Sequence, residues 1–270
     1  MRYVRLGNTD LEVSRLGLDC HSLGVTQRER GWDPSSYDGE VFAIRTVHAA
    51  LDAGINIFDT TSGAGGARAE ALLGKALRDR RESALLASRL CQAKDGDAVN
   101  DSVSASLRRL RADHLDIVYL GDHLDQMQHP LNALVRLRKR GVVRYLGLVV
   151  SDPVKALPLV ATGEFDVVEL QCSVADEDAV STLLNTCQQK GLGVSIIKPL
   201  ASRTLQTLAG ILDAGWVGSN KVRECCLRYL LSDPRIHFIS LGMRWEHEVA
   251  TNSRMVADIE PAYIPLAASS

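Results

Sequence analysis

Eight short apolar runs recur along the chain, each followed by a stretch of helical periodicity, and this alternation limits the fold more than any other feature. The runs are SRLGLD (14–19), INIFD (55–59), SALLASR (83–89), LDIVYL (115–120), VVRYLGLVV (142–150), FDVVEL (165–170), GVSIIK (193–198) and HFISLG (237–242). Their length suits strands buried on both faces, as in a parallel sheet covered by helices. Between them EVFAIRTVHAALDAG, AEALLGKALRD, SVSASLRRLRAD, PLNALVRLRKRG, DAVSTLLNTCQQKG and KVRECCLRYLLSD read as amphipathic helices, several ending at a glycine suited to a C-cap. In the first of these, Val41, Ile44, Val47, His48 and Leu51 form one stripe. Eight such units in 270 residues favour a closed (β/α)8 barrel, an α/β fold, as a single domain over 1–270. No GxGxxG follows the first strand, which argues against a Rossmann fold. MRYVRLGNTDLEV reads as a hairpin turning at Asn8-Thr9-Asp10, placed to plug the bottom of the barrel.

Composition narrows the function classes. A net charge of −2 gives no electrostatic reason to expect nucleic acid or an anionic membrane as partner. No apolar run approaches the roughly 20 residues needed to span a bilayer. Nothing at the start of the chain reads as a signal peptide. The six cysteines contain no CxxC pair, and their scatter through apolar segments suits reduced thiols in the cytoplasm. A small-molecule ligand is the expected partner, and the oligomeric state is not written in the sequence.

In a barrel of this kind the residues at the C-terminal ends of the strands face the site. They are Asp19, Cys20 and His21; Asp59; Arg89; Gly121, Asp122 and His123; Val149, Val150 and Ser151; Glu169, Gln171 and Cys172; Lys198; and Gly242 to Arg244. The turn after Asp59, TTSGAGGAR, offers only hydroxyls as chemistry before Arg68. Trp32, in the long loop after the first strand, is placed to fold over the pocket. Asp19, Cys20 and His21 with Asp122 and His123 do not match a known metal-ligand spacing, so no metal is expected.

The ordered segments RLGNTDLEVSRLGL, DAGINIFDTTSGAGGARAEALLGKAL, SLRRLRADHLDIVYL, RKRGVVRYLGL, GLGVSIIKPLA and LRYLLSDPRIHFISLGMR resemble the aldo-keto reductase family across nearly the whole chain. The resemblance implies a barrel that binds NADPH in an extended pose and reduces carbonyls without a metal. It also implies a tetrad of Tyr, Lys, Asp and His. Of these the Asp falls on Asp59, while the Tyr position reads Ala64, the Lys position Arg89 and the His position Gly121. The positions that hold the nicotinamide read Val149, Val150, Glu169 and Cys172, and Arg244 and Asn252 fall near those for the adenosine phosphate.

These departures lead to the expectation of a redox-neutral acid–base enzyme (lyase, dehydratase, isomerase or cyclase) with no cofactor, or with NADPH bound only weakly. Asp59, Arg89, Glu169, His123 and His21 would carry its chemistry, in a pocket of Cys20, Ala64, Gly121, Val150, Cys172, Lys198 and Trp32. Two alternatives stand beside it: a residual NADPH-dependent carbonyl oxidoreductase, and a non-catalytic binding protein. A bland reading also stands, in which Asp59, Arg89 and Glu169 form an ion-pair network that merely closes the barrel top. In the acid–base reading the guanidinium beside Asp59 is expected to keep that carboxyl ionised.

Overall fold

Alternate residues of each strand divide between two apolar layers, and that division builds the barrel. The computed structural model describes residues 1–63, 65–91, 95–121, 127–171, 177–200, 220–257 and 259. Strands β3 (Leu16–Asp19), β4 (Ile57–Thr61), β5 (Leu85–Arg89), β6 (Leu115–Gly121), β7 (Val143–Val150), β8 (Val167–Gln171), β9 (Gly193–Ile197) and β10 (Phe238–Leu241) run parallel. Strand β10 pairs with both β3 and β9, so the sheet closes on itself. Each expected strand is present, its ends within about two residues of the apolar run that marks it.

Leu16, Leu18, Leu86, Val118, Leu148 and Leu170 point outward into the layer between sheet and helices. That layer is covered by α2 (Tyr37–Asp52), α3 (Gly66–Ala76), α4 (Gly96–Leu110), α5 (Gln128–Lys139), α6 (Pro153–Ala161), α7 (Glu177–Lys190), α8 (Asn220–Ser232) and α9 (Glu246–Ala257), with a single turn, α1 (His21–Gly24), after β3. Side-chain caps fix three helix starts: Ser36 accepts from Gly39 N, Asp95 from Ala98 N, and Asp152 from Val154 N and Lys155 N. In α2 the buried face is Ala43, Thr46, Val47, Ala50 and Leu51, so the expected stripe is rotated. Small residues at 43 and 50 suit close packing, and His48 sits half-buried beside the Ala76 carbonyl, 2.9 Å from its Nε2. Among the described residues no helix is long and apolar enough to cross a membrane.

The hairpin of β1 (Tyr3–Arg5) and β2 (Glu12–Ser14) pairs Val4 with Val13. Its Leu6, Leu11 and Val13 join Ile57, Ala87, Ile117, Val167 and Phe238 inside the barrel. Gly193 permits this contact, because a Cβ there would stand 2.5 Å from Leu6 Cγ. Asn8 N completes the join by donating to Gly191 O at 2.7 Å. With the bottom filled by aliphatic side chains, polar residues collect at the other end.

Candidate active site

The inward-facing positions near the C-terminal ends of the strands carry charge. Asp19 ends β3 and pairs in register with Asp59 of β4; Arg89 ends β5 opposite Thr61. Across the barrel, Glu169 of β8 lies in register with Val149 and Ser195. Arg89 Nη2 reaches Asp59 Oδ2 at 2.9 Å and Asp19 Oδ1 at 3.1 Å, while its Nε lies 3.5 Å from Glu169 Oε2. The Asp59 and Glu169 side chains are 2% and 1% exposed, against 16% for Arg89 and 23% for Asp19. One guanidinium therefore serves three carboxyl groups, two of them removed from water.

Burial works against the charge of that pair. It pushes the Asp59 carboxyl well above the usual carboxylate range; Arg89 opposes this, while Glu169 and Asp19 add to it. Burial raises Glu169 as well. The expectation of an Asp59 held ionised by its arginine counted the nearby charge and omitted this desolvation, which acts in the opposite direction. Burial also works against the charge of Arg89, but the three carboxyl groups outweigh it and drive its pKa upward.

Tyr119 of β6 completes the interior layer, its phenol fully buried beside Ser195 and pushed up by burial and by the carboxyl groups. Gly147 of β7 gives it room, since a Cβ at that position would overlap the Tyr119 ring. Ser240 of β10 donates from Oγ to Asp59 Oδ2 at 3.3 Å. Ser240 also lines a cavity of about 280 Å³ with Asp19, Lys198, Pro199, Leu200, Leu241 and Gly242. Lys198 stands in the left-handed region, φ 53°, directly before Pro199. Such a strained non-glycine residue at a cavity wall is a mark of functional loops.

The fates of the other expected residues differ. His21 lies at the site, its backbone N–H donating to Asp19 Oδ1 at 3.1 Å, with a buried Nδ1 that has no hydrogen-bond partner among the described residues. Gly121 ends β6 opposite Val149. Cys20 and Val150 are corrected: both turn into the outer core rather than the pocket, as alternation requires next to inward Asp19 and Val149. Burial also pushes the Cys20 thiol up, so it offers no thiolate. Trp32 does not fold over the pocket; it is buried against Trp245, ring centroids 5.0 Å apart and edge to face. Ala64, His123 and Cys172 lie outside the described residues. Asn252 is buried in α9, and Arg244 is half-buried in the loop before it. Among the described residues no group of three or more His, Cys, Asp or Glu is arranged to hold a metal. Ser240, Ser195 and Tyr119 escaped the sequence reading, although two-residue alternation back from Gly242, Ile197 and Gly121 marks all three as inward-facing.

A barrel plugged below by a hairpin, with its ionisable groups gathered where the strands end, has the architecture of an enzyme. The model of the Aldo/keto reductase family matches residues 22–210, and the chain belongs to that family. L-galactose dehydrogenase of Arabidopsis thaliana is 29% identical over 289 residues, covering 94% of this chain and 88% of that protein. The NADH-specific methylglyoxal reductase of Escherichia coli is 25% identical over 248 residues, covering 82% and 74%. In fold, the chain is similar to an aldo-keto reductase of Bacillus halodurans in its holo form, at a TM-score of 0.79 and 24% identity over 97% of this chain and 92% of that one. These relatives overturn the redox-neutral expectation: proteins matched over most of their length are named for oxidation and reduction, and none of these for lyase, isomerase or cyclase chemistry.

Proposed function

We propose that the chain is a nicotinamide-dinucleotide-dependent oxidoreductase that interconverts a carbonyl and an alcohol on a small, oxygen-rich substrate. The observation that carries this reading is the Asp59–Arg89–Glu169 cluster, which meets the cavity through Asp19 and Ser240. Carbonyl reduction develops negative charge on oxygen, and a fixed cation held in a water-poor site stabilises such charge without reorganising. Arg89 is that cation, held by carboxyl groups on three different strands.

The residues present fit a dinucleotide. Lys198 supplies a positive charge at the cavity wall, where Gly242 leaves the backbone bare. Among the described residues the buried Oδ1 of Asn252 has no hydrogen-bond partner, and it can accept from an adenine amino group or a ribose hydroxyl. Lys198 would hold the pyrophosphate, and Arg244 and Asn252 the adenosine end. Bound there, a reduced nicotinamide supplies the hydride. The polar lining of Asp19, Lys198 and Ser240 favours hydroxylated or dicarbonyl substrates over apolar ones, in keeping with the L-galactose and methylglyoxal in the relatives' names. The free thiols of Cys20, Cys91, Cys187, Cys225 and Cys226 support a reducing, cytoplasmic setting.

Fluorescence titration with NADH and with NADPH, followed by turnover assays on methylglyoxal and a panel of aldoses, tests the proposal. Micromolar binding of one nucleotide, about −8 kcal/mol, together with substrate-dependent oxidation or reduction of it is the expected result. Failure to bind either nucleotide overturns it.

A further inference from the structure

We propose that Asp59 and Glu169 hold one proton between them, and that the Ser240 hydroxyl passes it to the oxygen of a substrate seated in the cavity. The substrate in this statement rests on the oxidoreductase reading; the shared proton does not.

The geometry carries the first half. Asp59 Oδ1 and both oxygens of Glu169 are buried and receive no hydrogen bond among the described residues, although Arg89 Nε stands 3.5 Å from Glu169 Oε2. Two ionised carboxylates left in that state inside a barrel would be heavily penalised. A proton between them turns orphaned acceptors into one hydrogen bond, and Arg89 draws both side chains to one guanidinium, Asp59 Oδ2 at 2.9 Å and Glu169 Oε2 at 3.5 Å. Around the pair, among the described residues, stand Asp19 at the end of β3 with Cys20 and His21 after it, Arg89 from β5, Tyr119 from β6, Ser195 from β9 and Ser240 from β10. Asp19 shares Arg89 with the pair, and burial pushes the Cys20 thiol and the Tyr119 phenol up.

The second half follows from the other oxygen of Asp59. Oδ2 is held by Arg89 Nη2 at 2.9 Å and by Ser240 Oγ at 3.3 Å. Ser240 is 2% exposed, yet it lines the cavity, so its hydroxyl is the contact between the buried pair and that space. A neutral carboxyl can carry its proton on Oδ1, toward Glu169, or on Oδ2, toward Ser240. From Oδ2 the proton moves to Ser240 Oγ as the serine's own proton leaves for the substrate oxygen. The pair is left doubly ionised beside Arg89 until solvent returns a proton. With the hydride from a reduced nicotinamide dinucleotide at the carbonyl carbon, this one proton at oxygen completes the alcohol. For the reduction, kcat therefore falls as pH rises through the raised range in which the pair loses its proton.

Infrared spectroscopy of the full chain, without nucleotide and at neutral pH, tests the shared proton. A protonated-carboxyl band is expected in the native protein and in Ser240→Ala, and its loss is expected in both Asp59→Asn and Glu169→Gln. Absence of the band from the native protein, or its survival in both carboxyl variants, overturns the proposal. The rate at which that band shifts in D2O tests the exit: Ser240→Ala slows the exchange, and Ser240→Thr, which keeps the hydroxyl, restores it. An unchanged rate in Ser240→Ala overturns the relay. In turnover, Ser240→Ala lowers kcat about 100-fold, the order expected for losing a positioned proton donor. If the native protein binds no nucleotide and turns nothing over while the band and its exchange behave as stated, the oxidoreductase reading falls and the proton relay stands.

Discussion

Glu70 and Glu169 are both fully buried, yet they stand on opposite sides of the barrel wall and are treated in opposite ways. Glu70, on α3, lies outside. Its Oε2 accepts from Arg109 Nη2 at 2.6 Å and Nε at 2.7 Å, and its Oε1 accepts from the hydroxyls of Thr60 and Ser88, each at 3.3 Å. Glu169, inside, has among the described residues only the Nε of Arg89, at 3.5 Å. The wall itself makes the division: Thr60 turns outward to Glu70, while its neighbour Asp59 turns inward toward Arg89. Where every acceptor is bonded, a buried carboxylate ties two helices to two strands. Where acceptors are left open, the same side chain keeps a capacity for a proton, and that is a feature of sites rather than of scaffolds.

The sharpest way to break this contrast is Arg109→Ala. It strands the Glu70 charge in the wall and should cost about 3–5 kcal/mol of unfolding free energy in urea titrations, with the nucleotide affinity of the surviving folded protein unchanged. A loss below about 1 kcal/mol would show that Glu70 is not the lock the geometry describes. Next in size is a proton effect at the lower end of the barrel. His237 Nδ1 accepts from Val194 N at 3.0 Å, and burial, with help from Arg15, lowers its pKa to about 4. The unfolded chain, with an ordinary histidine near 6.5, binds more protons between these values, so stability is complete above pH 6.5 and falls as pH drops toward 4. The loss should reach up to about 3 kcal/mol and be absent in His237→Asn, as followed by thermal unfolding across that pH range. The smallest expected effect is the most informative. Glu169→Gln relieves the crowding of carboxyl groups around Arg89, so stability at neutral pH should be unchanged or raised by up to about 1 kcal/mol. Its decline with rising pH should flatten, because a carboxyl whose pKa is raised on folding loses stability as pH climbs from the unfolded value. A fall like that of Arg109→Ala would instead make the mouth a structural network like the one in the wall.

Strand positions, helix positions and the bottom hairpin were legible in the residues themselves, because apolar periodicity and turn chemistry act over a few neighbours. INIFD and LDIVYL read as strands wherever they occur in a barrel, and Asn8-Thr9-Asp10 marks the hairpin turn by its residue types. The likeness across the chain likewise carried the family, which the match over residues 22–210 shows. The same likeness also misled: departures at single positions were read as a change of reaction, whereas relatives matched over most of their length are named as oxidoreductases.

By itself, then, the sequence determined the alternation, the closed barrel and the meeting of Asp59, Arg89 and Glu169 at its mouth. Only the tertiary structure decided that Trp32 packs against Trp245, that Cys20 and Val150 face the outer core, and that Ser240 joins Asp59 to a cavity. It alone shows the burial that works against the charge of Asp59. An arginine on the neighbouring strand can be inferred from strand order, and it argues for an ionised carboxylate. Desolvation is a sum over everything packed around the group, from Asp19 on one strand to Glu169 across the barrel, and no short stretch of chain contains that sum.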